Sequence, residues 1–189
     1  MSKRVEKKAL RIIGGQPATL LGARLQRLED FIVERSKPGY LEGALEAAGM
    51  DGCTHVRTAG NKPDLQFPEA ENPLDDERHS VFRRCCGKLQ YASPKRPDLL
   101  YALKELGRHL AASREADFRC LKHTLRYVKG TLDLGMVHRI SGSIEDLIGS
   151  CDSDWAGCHE ARKSTCCGVI KWMNIFITSY SRTGRWPLK

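Results

Sequence analysis

The stretch EADFRCLKHTLRYVKG, residues 115–130, carries two periodic patterns on one segment. Its apolar residues recur at helical spacing, and Gly130 follows them as a typical helix end. These apolar residues are Phe118, Leu121, Leu125 and Val128. The basic residues, at i, i+3, i+7 and i+10, are Arg119, Lys122, Arg126 and Lys129. The two patterns predict a helix with one face in a core and a cationic stripe facing outward.

Helical spacing continues on the N-terminal side of this stretch. LLYALKELGRHLAA, residues 99–112, repeats leucine at helical intervals, and RHSVFRRCCGKLQYAS, residues 78–93, indicates a further helix. Between them, the two prolines of SPKRPD interrupt helical structure. Asp98 follows these prolines and is expected to cap the next helix, because an aspartate oxygen accepts from the free N–H groups of the first turn.

The segment before these helices is more varied. Apolar and polar residues alternate over residues 19–36 on both sides of Glu29 and Asp30, which predicts a β-hairpin. GYLEGALEAAGM then predicts a short helix that ends at Gly49. The following TAGNKPDLQFPEAENPLDDE, residues 58–77, is acidic and rich in proline, so it is expected to form a loop.

After Gly130 the period changes from helical to alternating. LGMVHRI and DLIGSCDSDWAG are expected to pair as strands, and STCCGVIKWMN with IFITSYS is expected to form a second pair. Helices followed by a three- to four-stranded antiparallel meander predict an α+β fold.

Composition limits the class of protein. Hydrophobic residues make up 41% and charged residues 29%, which is typical of globular rather than disordered chains. No apolar run is long enough to span a membrane, and MSKRVEKKALRIIGG lacks the apolar core of a signal peptide. We therefore expect an intracellular protein, cytoplasmic or nuclear, with reduced thiols. Its eight cysteines lack the paired C-x-x-C spacing of zinc sites.

Positive charge is concentrated in the middle of the chain. The formal net charge is +8, and residues 81–140 hold 13 Lys or Arg against 5 Asp or Glu. Such an excess attracts polyanions such as nucleic acid. A solvated basic surface gives the same composition, so charge alone leaves both interpretations open.

GSCDSDWAGCHEARKSTCCGVI, residues 149–170, places two carboxylates in an apolar strand. Asp152 and Asp154 share a strand face, because successive side chains alternate sides. A solvated face would produce this pattern, and so would a carboxylate metal site. Trp155 follows and is expected to pack rather than to stack on bases.

Two motifs together resemble the Pol polyproteins of copia-type retrotransposons. YASPKRPDLLYALKELGRHLAASREADFRCLKHTLRYVKGT is similar to the family's Y-L-S-x-x-R-P-D-I and L-K-R-x-L-R-Y-L-K-G-T motifs, beyond the polymerase palm. Some twenty residues later, CDSDWAGCHEARKSTCCGVI resembles the opening of the RNase H domain, S-D-A-D-W-A-G then R-K-S-T-S-G. LGARLQRLED and GYLEGALEAAGMDGCTHVRT resemble the end of the reverse transcriptase region. The likeness covers about Leu21 to Ser181.

The resemblance implies roles for specific residues. Asp152 resembles the first catalytic carboxylate of RNase H, and Asp152 with Asp154 would bind Mg²⁺. The basic stripe of residues 119–129 would contact template-primer, with solvation alone as the alternative. Arg162 and Lys163 would touch phosphates of an RNA–DNA hybrid, or they belong to an exposed polar hairpin.

The resemblance also divides the chain into four expected segments. Residues 1–60 correspond to the end of the palm-like region, 61–78 to an acidic linker loop, 79–133 to a helical thumb or connection region, and 134–189 to a partial RNase H-like domain. The polymerase Y-V-D-D motif and the later RNase H carboxylate motifs are absent from this sequence. We therefore expect a catalytically incomplete Pol fragment whose last strands expose Ile170, Trp172 and Ile175.

Whether the chain is an enzyme is left open by the sequence. The parent activities implied by the resemblance are RNA-directed DNA synthesis and cleavage of RNA–DNA hybrids. The expected residual activity is weak, non-specific binding of nucleic acid, with other Pol segments as further candidate partners and no membrane. The alternative is a non-catalytic structural or interaction protein derived from a retroelement.

Overall fold

The computed structural model describes residues 16–20, 22–139, 147–154, 163–173 and 175–184. The chain divides into two compact units, residues 1–35 with 135–189 and residues 36–134. Helices and antiparallel sheets are both present, which confirms the α+β class. The four segments predicted from the resemblance are defined by the regions of Pol that they resemble, whereas the two units are defined by contacts within the chain. The boundaries of the four segments stay predictions.

The first unit contains a four-stranded sheet. Its strands are β1 (Ala18–Leu20), β2 (Ala23–Leu28), β3 (Phe31–Ser36) and β4 (Met136–Arg139), in that order. β2 and β3 meet at a turn through Glu29 and Asp30, so the predicted hairpin is confirmed. Glu29 adopts a positive φ of 30°, which tightens this turn.

The position of β4 corrects the sequence prediction. The alternation in LGMVHRI predicts pairing with the strand that follows it, but β4 pairs antiparallel with β3, so that Val33 faces Val137. The buried His138 supports this pairing, because its Nε2 lies 3.2 Å from Glu34 Oε2 on β3. Its Nδ1 accepts from the backbone N–H of Phe176 at 3.3 Å. A local alternation pattern cannot show a partner about 100 residues away.

The remaining strands form an antiparallel meander of three strands, as predicted. They are β5 (Leu147–Ser153), β6 (Thr165–Trp172) and β7 (Ile175–Thr183), in that order. Leu147, Trp172 and Ile175 stand in register across the sheet. Trp172 is 45% exposed and Ile170 is 37% exposed, whereas Ile175 is half-buried. An exposed apolar face on this sheet is therefore confirmed.

The second unit is helical. It contains α1 (Glu42–Ala47), α2 (Asp76–Ala92), α3 (Leu100–Gly107) and α4 (Glu115–Lys129). Two 3₁₀ turns, Ser93–Lys95 and Pro97–Leu99, separate α2 from α3. The predicted short helix therefore exists, and Gly49 follows it with a φ of 63° that favours glycine. None of the described helices is both long and apolar enough to cross a membrane.

The core of this unit joins all four helices. It includes Leu45 from α1, Phe82 and Leu89 from α2, Leu103 from α3 and Leu121 from α4. Leu45, Phe82, Leu89 and Leu121 are at most 1% exposed. Full burial of such a side chain contributes roughly 1.5–3 kcal/mol. The apolar periodicity of the sequence thus identified the faces that bind the helices together.

The expected cap of α3 is wrong. α3 begins after Leu99, and no side chain caps it. Asp98 instead accepts from the guanidinium of Arg96, with Nη2 at 2.7 Å from Oδ2. Arg96 is 1% exposed, and a buried cation needs an anionic partner more than a helix end needs a cap.

Candidate nucleic-acid interface

α4 holds the predicted stripe against a fixed core. Leu121, Leu125 and Val128 are fully buried and Phe118 is 6% exposed, so the rotation of the helix is determined. Asp117 stabilises the first turn of the helix, because its Oδ2 accepts a hydrogen bond from the backbone N–H of Arg114 at 2.8 Å. The stripe residues all lie away from this core: Arg119 and Lys122 are exposed, and Arg126 and Lys129 are half-buried.

A buried network fixes the C-terminal end of α4. Arg96 donates from Nη1 to the Thr131 carbonyl at 2.9 Å and from Nη2 to Thr131 Oγ1 at 2.8 Å. Tyr127 donates its hydroxyl to Asp98 Oδ2 at 2.9 Å. Burial, and then the neighbouring Asp98, raise the pKa of Tyr127. The phenol therefore stays protonated as a donor at neutral pH.

Residues 54–67 contact the same side of α4, which the sequence did not predict. Arg126 Nε donates to the Thr54 carbonyl at 2.7 Å, and the Arg119 guanidinium lies 3.4 Å from the centroid of the Phe67 ring. His123 Nε2 lies 3.0 Å from the Thr58 carbonyl. Two stripe cations thus have contacts within the chain. Nothing in the proline-rich pattern of this loop indicated which helix it would follow.

Lys122 and Lys129, the two lysines of the stripe, have fewer and weaker contacts within the chain than Arg119 and Arg126. Lys122 Nζ lies 5.2 Å from the Phe118 ring centroid, at the outer range of a cation–π contact. No interaction of Lys129 with a side chain is found among the described residues. These two ammonium groups are the part of the stripe best placed to meet an external anion.

Among the described residues, four arginines of the helical unit are compensated by carboxylates, whereas the stripe residues are not. Arg114 pairs with Glu71 at 2.7 Å and with Asp117 at 3.2 Å, and Arg108 pairs with Glu105 at 3.3 Å. Arg78 pairs with Glu115, and Arg96 with Asp98. Within the described part of the chain, none of the four stripe residues forms an ion pair.

The two predicted metal carboxylates lie at the end of β5. Asp152 stands opposite Cys167 on β6, and the backbone pairing of Asp154 with Thr165 continues this register. Both are therefore on one face, as alternation predicts, and both are exposed. Asp154 Oδ1 accepts from the Thr165 N–H at 2.5 Å, whereas Asp152 Oδ1 accepts from Ser153 N–H at 2.9 Å.

Carboxylate oxygens suit Mg²⁺, but Asp152 and Asp154 supply only two ligand side chains. Among the described residues, no group of three or more His, Cys, Asp or Glu side chains is arranged to hold a metal ion. Mg²⁺ binds through one or two carboxylates when phosphates and water complete its shell. A metal ion held by this pair would therefore need further ligands, and Asp152 is the carboxylate with fewer contacts within the chain.

The other predicted contacts are partly outside the described structure. Lys163 is half-buried just before β6. Arg162 and Trp155 lie outside the described residues, so their predicted roles stay predictions.

Two thiols of the helical unit, those of Cys86 and Cys120, have strongly raised pKa values. Burial, followed by the neighbouring Cys85, raises the pKa of Cys86 to about 12. Burial also raises the pKa of Cys120 to about 11, with Asp117 and Glu105 adding to it. All the described cysteines are free. These two thiols are inert at neutral pH, because the thiolate is the reactive form.

Comparison with known proteins shows a retroelement relationship. An uncharacterized mitochondrial protein of Arabidopsis thaliana is 35% identical over 145 residues, covering 72% of this chain and 58% of that protein. The retrovirus-related Pol polyprotein from transposon RE2 of the same plant is 37% identical over 76 residues, 40% of this chain and 5% of the polyprotein. The Pol polyprotein from transposon RE1 is 36% identical over 76 residues. The chain is therefore related to the copia-type Pol polyproteins of retrotransposons.

This Pol relationship confirms the resemblance found in the sequence motifs. The chain spans less than two thirds of the first relative and a small part of each polyprotein. No protein-family model and no solved structure matches the chain. The region of Pol to which this chain corresponds, and its activity, must therefore be inferred from its own residues.

Proposed function

We propose that this Pol-derived chain binds nucleic acid non-specifically through the stripe on α4. In this proposal it corresponds to the end of the reverse transcriptase region, a helical connection and the start of RNase H. An intracellular site of action, cytoplasmic or nuclear, is part of the same proposal.

The observation that carries the proposal is uncompensated charge on an ordered helix. Arg78, Arg96, Arg108 and Arg114 are paired with carboxylates, but the stripe is not. A fixed row of cations without carboxylate partners suits a row of phosphates. Because phosphates are common to all sequences, such contacts position a strand without reading bases.

RNA–DNA hybrid or template-primer is the expected ligand class. Non-specific binding of this kind typically has a Kd of about 1–100 μM at physiological salt. Neutralising phosphates releases condensed counterions, so affinity must fall steeply as salt rises.

Catalysis by this chain alone is not part of the proposal. Asp152, with Asp154 beside it, would hold Mg²⁺ against a bound phosphate, and the ion would polarise that phosphate. Two-metal hydrolysis requires further ligands to place both ions. We expect no cleavage of hybrid RNA and no primer extension, other Pol segments being needed to complete either site.

A structural or interaction role is the second candidate. Arg126 and Arg119 hold residues 54–67 against α4, and this contact favours a stripe that stabilises the fold. In that case Lys122 and Lys129 are only solvated. The two candidates thus differ in the role of the lysines.

Fluorescence anisotropy with a labelled RNA–DNA hybrid distinguishes them. The double variant Lys122→Gln, Lys129→Gln removes two charges and leaves the contacts to residues 54–67 intact. The control, Lys104→Gln with Arg108→Gln, removes the same charge from residues that contact Glu105. If the variant at Lys122 and Lys129 binds more weakly than the parent and the control does not, the result supports a nucleic-acid interface on α4. Equal binding by parent and both variants supports the structural role.

A further inference from the structure

A pair of tyrosines lies on a different part of the helical unit. Tyr40, just before α1, and Tyr91, in the last turn of α2, have ring centroids 4.9 Å apart and planes tilted by 43°. Tyr91 is 52% exposed although this contact holds its ring. Such rings offer a large, preorganised surface to a planar ligand, because a tyrosine has few rotatable bonds to fix.

Cations flank both rings. Lys88 Nζ lies 5.5 Å from the Tyr40 centroid, and Lys95 Nζ lies 5.6 Å from the Tyr91 centroid. A Cβ at Gly43 would be 3.0 Å from Lys88 Nζ, so the glycine leaves room for the lysine to cross towards Tyr40. In the described chain, neither lysine has an ion-pair partner.

The other exposed tyrosine–lysine pair differs from this one. Tyr101 is 55% exposed, and Lys104 Nζ lies 4.7 Å from its ring centroid. Lys104, however, pairs with Glu105 at 2.5 Å. Its positive charge is thereby compensated, and no stacked tyrosine partner is found among the described residues. Tyr101 therefore provides a matched control.

We propose that Tyr91, supported by Tyr40 and flanked by Lys88 and Lys95, is a stacking site for an unpaired base of single-stranded nucleic acid. This inference rests on the proposed nucleic-acid binding and adds a second site to it. The ring stacks on a base, and the ammonium groups lie beside the phosphates on either side of it. Base stacking on an aromatic ring tolerates any sequence, because every base has a π face.

The single-strand preference separates this site from the stripe. The stripe needs only phosphates, which single strands and duplexes both supply. A base paired within a duplex presents no free face to Tyr91, except at its ends. The tyrosine pair would therefore engage unpaired template or a displaced strand beside a duplex.

An abasic strand provides the direct test. The intact chain is titrated with labelled oligothymidylate and with an abasic phosphodiester strand of the same length. Tyr91→Ala should weaken binding of oligothymidylate about tenfold and leave the abasic strand unchanged. Tyr91→Phe should bind like the parent, and so should the control Tyr101→Ala. Tyr91→Leu keeps apolar packing but should lose affinity as Tyr91→Ala does.

Each contrary result has a distinct meaning. If Tyr91→Ala binds oligothymidylate as tightly as the parent, while Lys122→Gln with Lys129→Gln weakens it, the stacking site is overturned and the stripe stands. If the parent binds neither strand, both proposals fail. If poly-L-glutamate competes and Tyr91→Ala abolishes that competition, the surface takes an acidic protein segment, and base stacking is overturned.

Discussion

Arg126 of α4 donates from Nε to the backbone carbonyl of Thr54 at 2.7 Å, across 72 residues of sequence. The bond ties the segment that follows α1 to the helix that carries the cationic stripe. One side chain thus belongs both to the candidate interface and to the fold, so its substitution must be interpreted separately from that of Lys122 and Lys129.

Arg126→Ala should lower the free energy of unfolding by about 1 kcal/mol, because a typical hydrogen bond contributes about that much net. Trypsin should also cleave faster after the exposed Arg57. Lys129→Gln, one turn further along, should leave both quantities unchanged. Urea denaturation and limited proteolysis measure them. Unchanged cleavage after Arg57 in the Arg126→Ala variant would show that the bond does not hold this segment.

Gly130→Ala should destabilise the helical unit by roughly 1–3 kcal/mol through overpacking. A Cβ at this position would lie 2.8 Å from His55 Cβ. Gly87→Ala, in the interior of α2, is the control, because nothing lies within 4 Å of its new Cβ. It should stabilise the protein by about 0.5–1 kcal/mol. Thermal or urea unfolding of the two variants should therefore shift in opposite directions, and a shift in the same direction contradicts the assigned contact.

Stability should fall as pH rises above about 9. Cys86 has a raised pKa of about 12 and Cys120 of about 11, so the unfolded chain releases these protons at lower pH than the folded chain does. Unfolding is then favoured between the unfolded and folded pKa values, at up to about 1.4 kcal/mol per pH unit for each thiol.

Urea denaturation from pH 7 to pH 10.5 measures this loss. Cys86→Ala should reduce the slope above pH 9, although it lowers stability at all pH values by removing a buried side chain. An unchanged slope in this variant would mean that the Cys86 thiol titrates normally in the folded protein.

The exposed face of the β5–β7 sheet should bind hydrophobic dyes. Leu147 is 70% exposed and stands opposite Trp172. Leu147→Lys should decrease dye fluorescence and aggregation while changing stability by no more than about 0.5 kcal/mol. Ser150→Lys, on the other face of β5, should not decrease either. Equal dye binding by the parent and Leu147→Lys would show that this face does not attract the dye.

The local pattern of the sequence predicted much of this fold. Phe118, Leu121, Leu125 and Val128 recur at helical spacing, and all four are buried as that spacing implies. The alternation around Glu29 and Asp30 identified the hairpin. Both patterns are set within a few residues, so neighbours along the chain suffice to predict them.

Long-range choices were not predictable in the same way. β4 has too short a pattern to specify its partner, which the buried His138 and Glu34 help to fix. Asp98 has the chemistry of a cap but is engaged by Arg96, whose burial the sequence does not reveal. The stripe on α4 was visible from charge spacing, whereas the segment beside Arg126 was not.

Salt dependence of binding to an RNA–DNA hybrid tests the central claim most directly. The logarithm of the association constant should fall linearly with the logarithm of salt concentration. Lys122→Gln with Lys129→Gln should weaken binding to hybrids of unrelated sequence alike. The same variant should reduce the magnitude of the slope by about two, because each lysine neutralises one phosphate. If the double variant has the affinity and slope of the parent, the stripe on α4 is not a nucleic-acid interface.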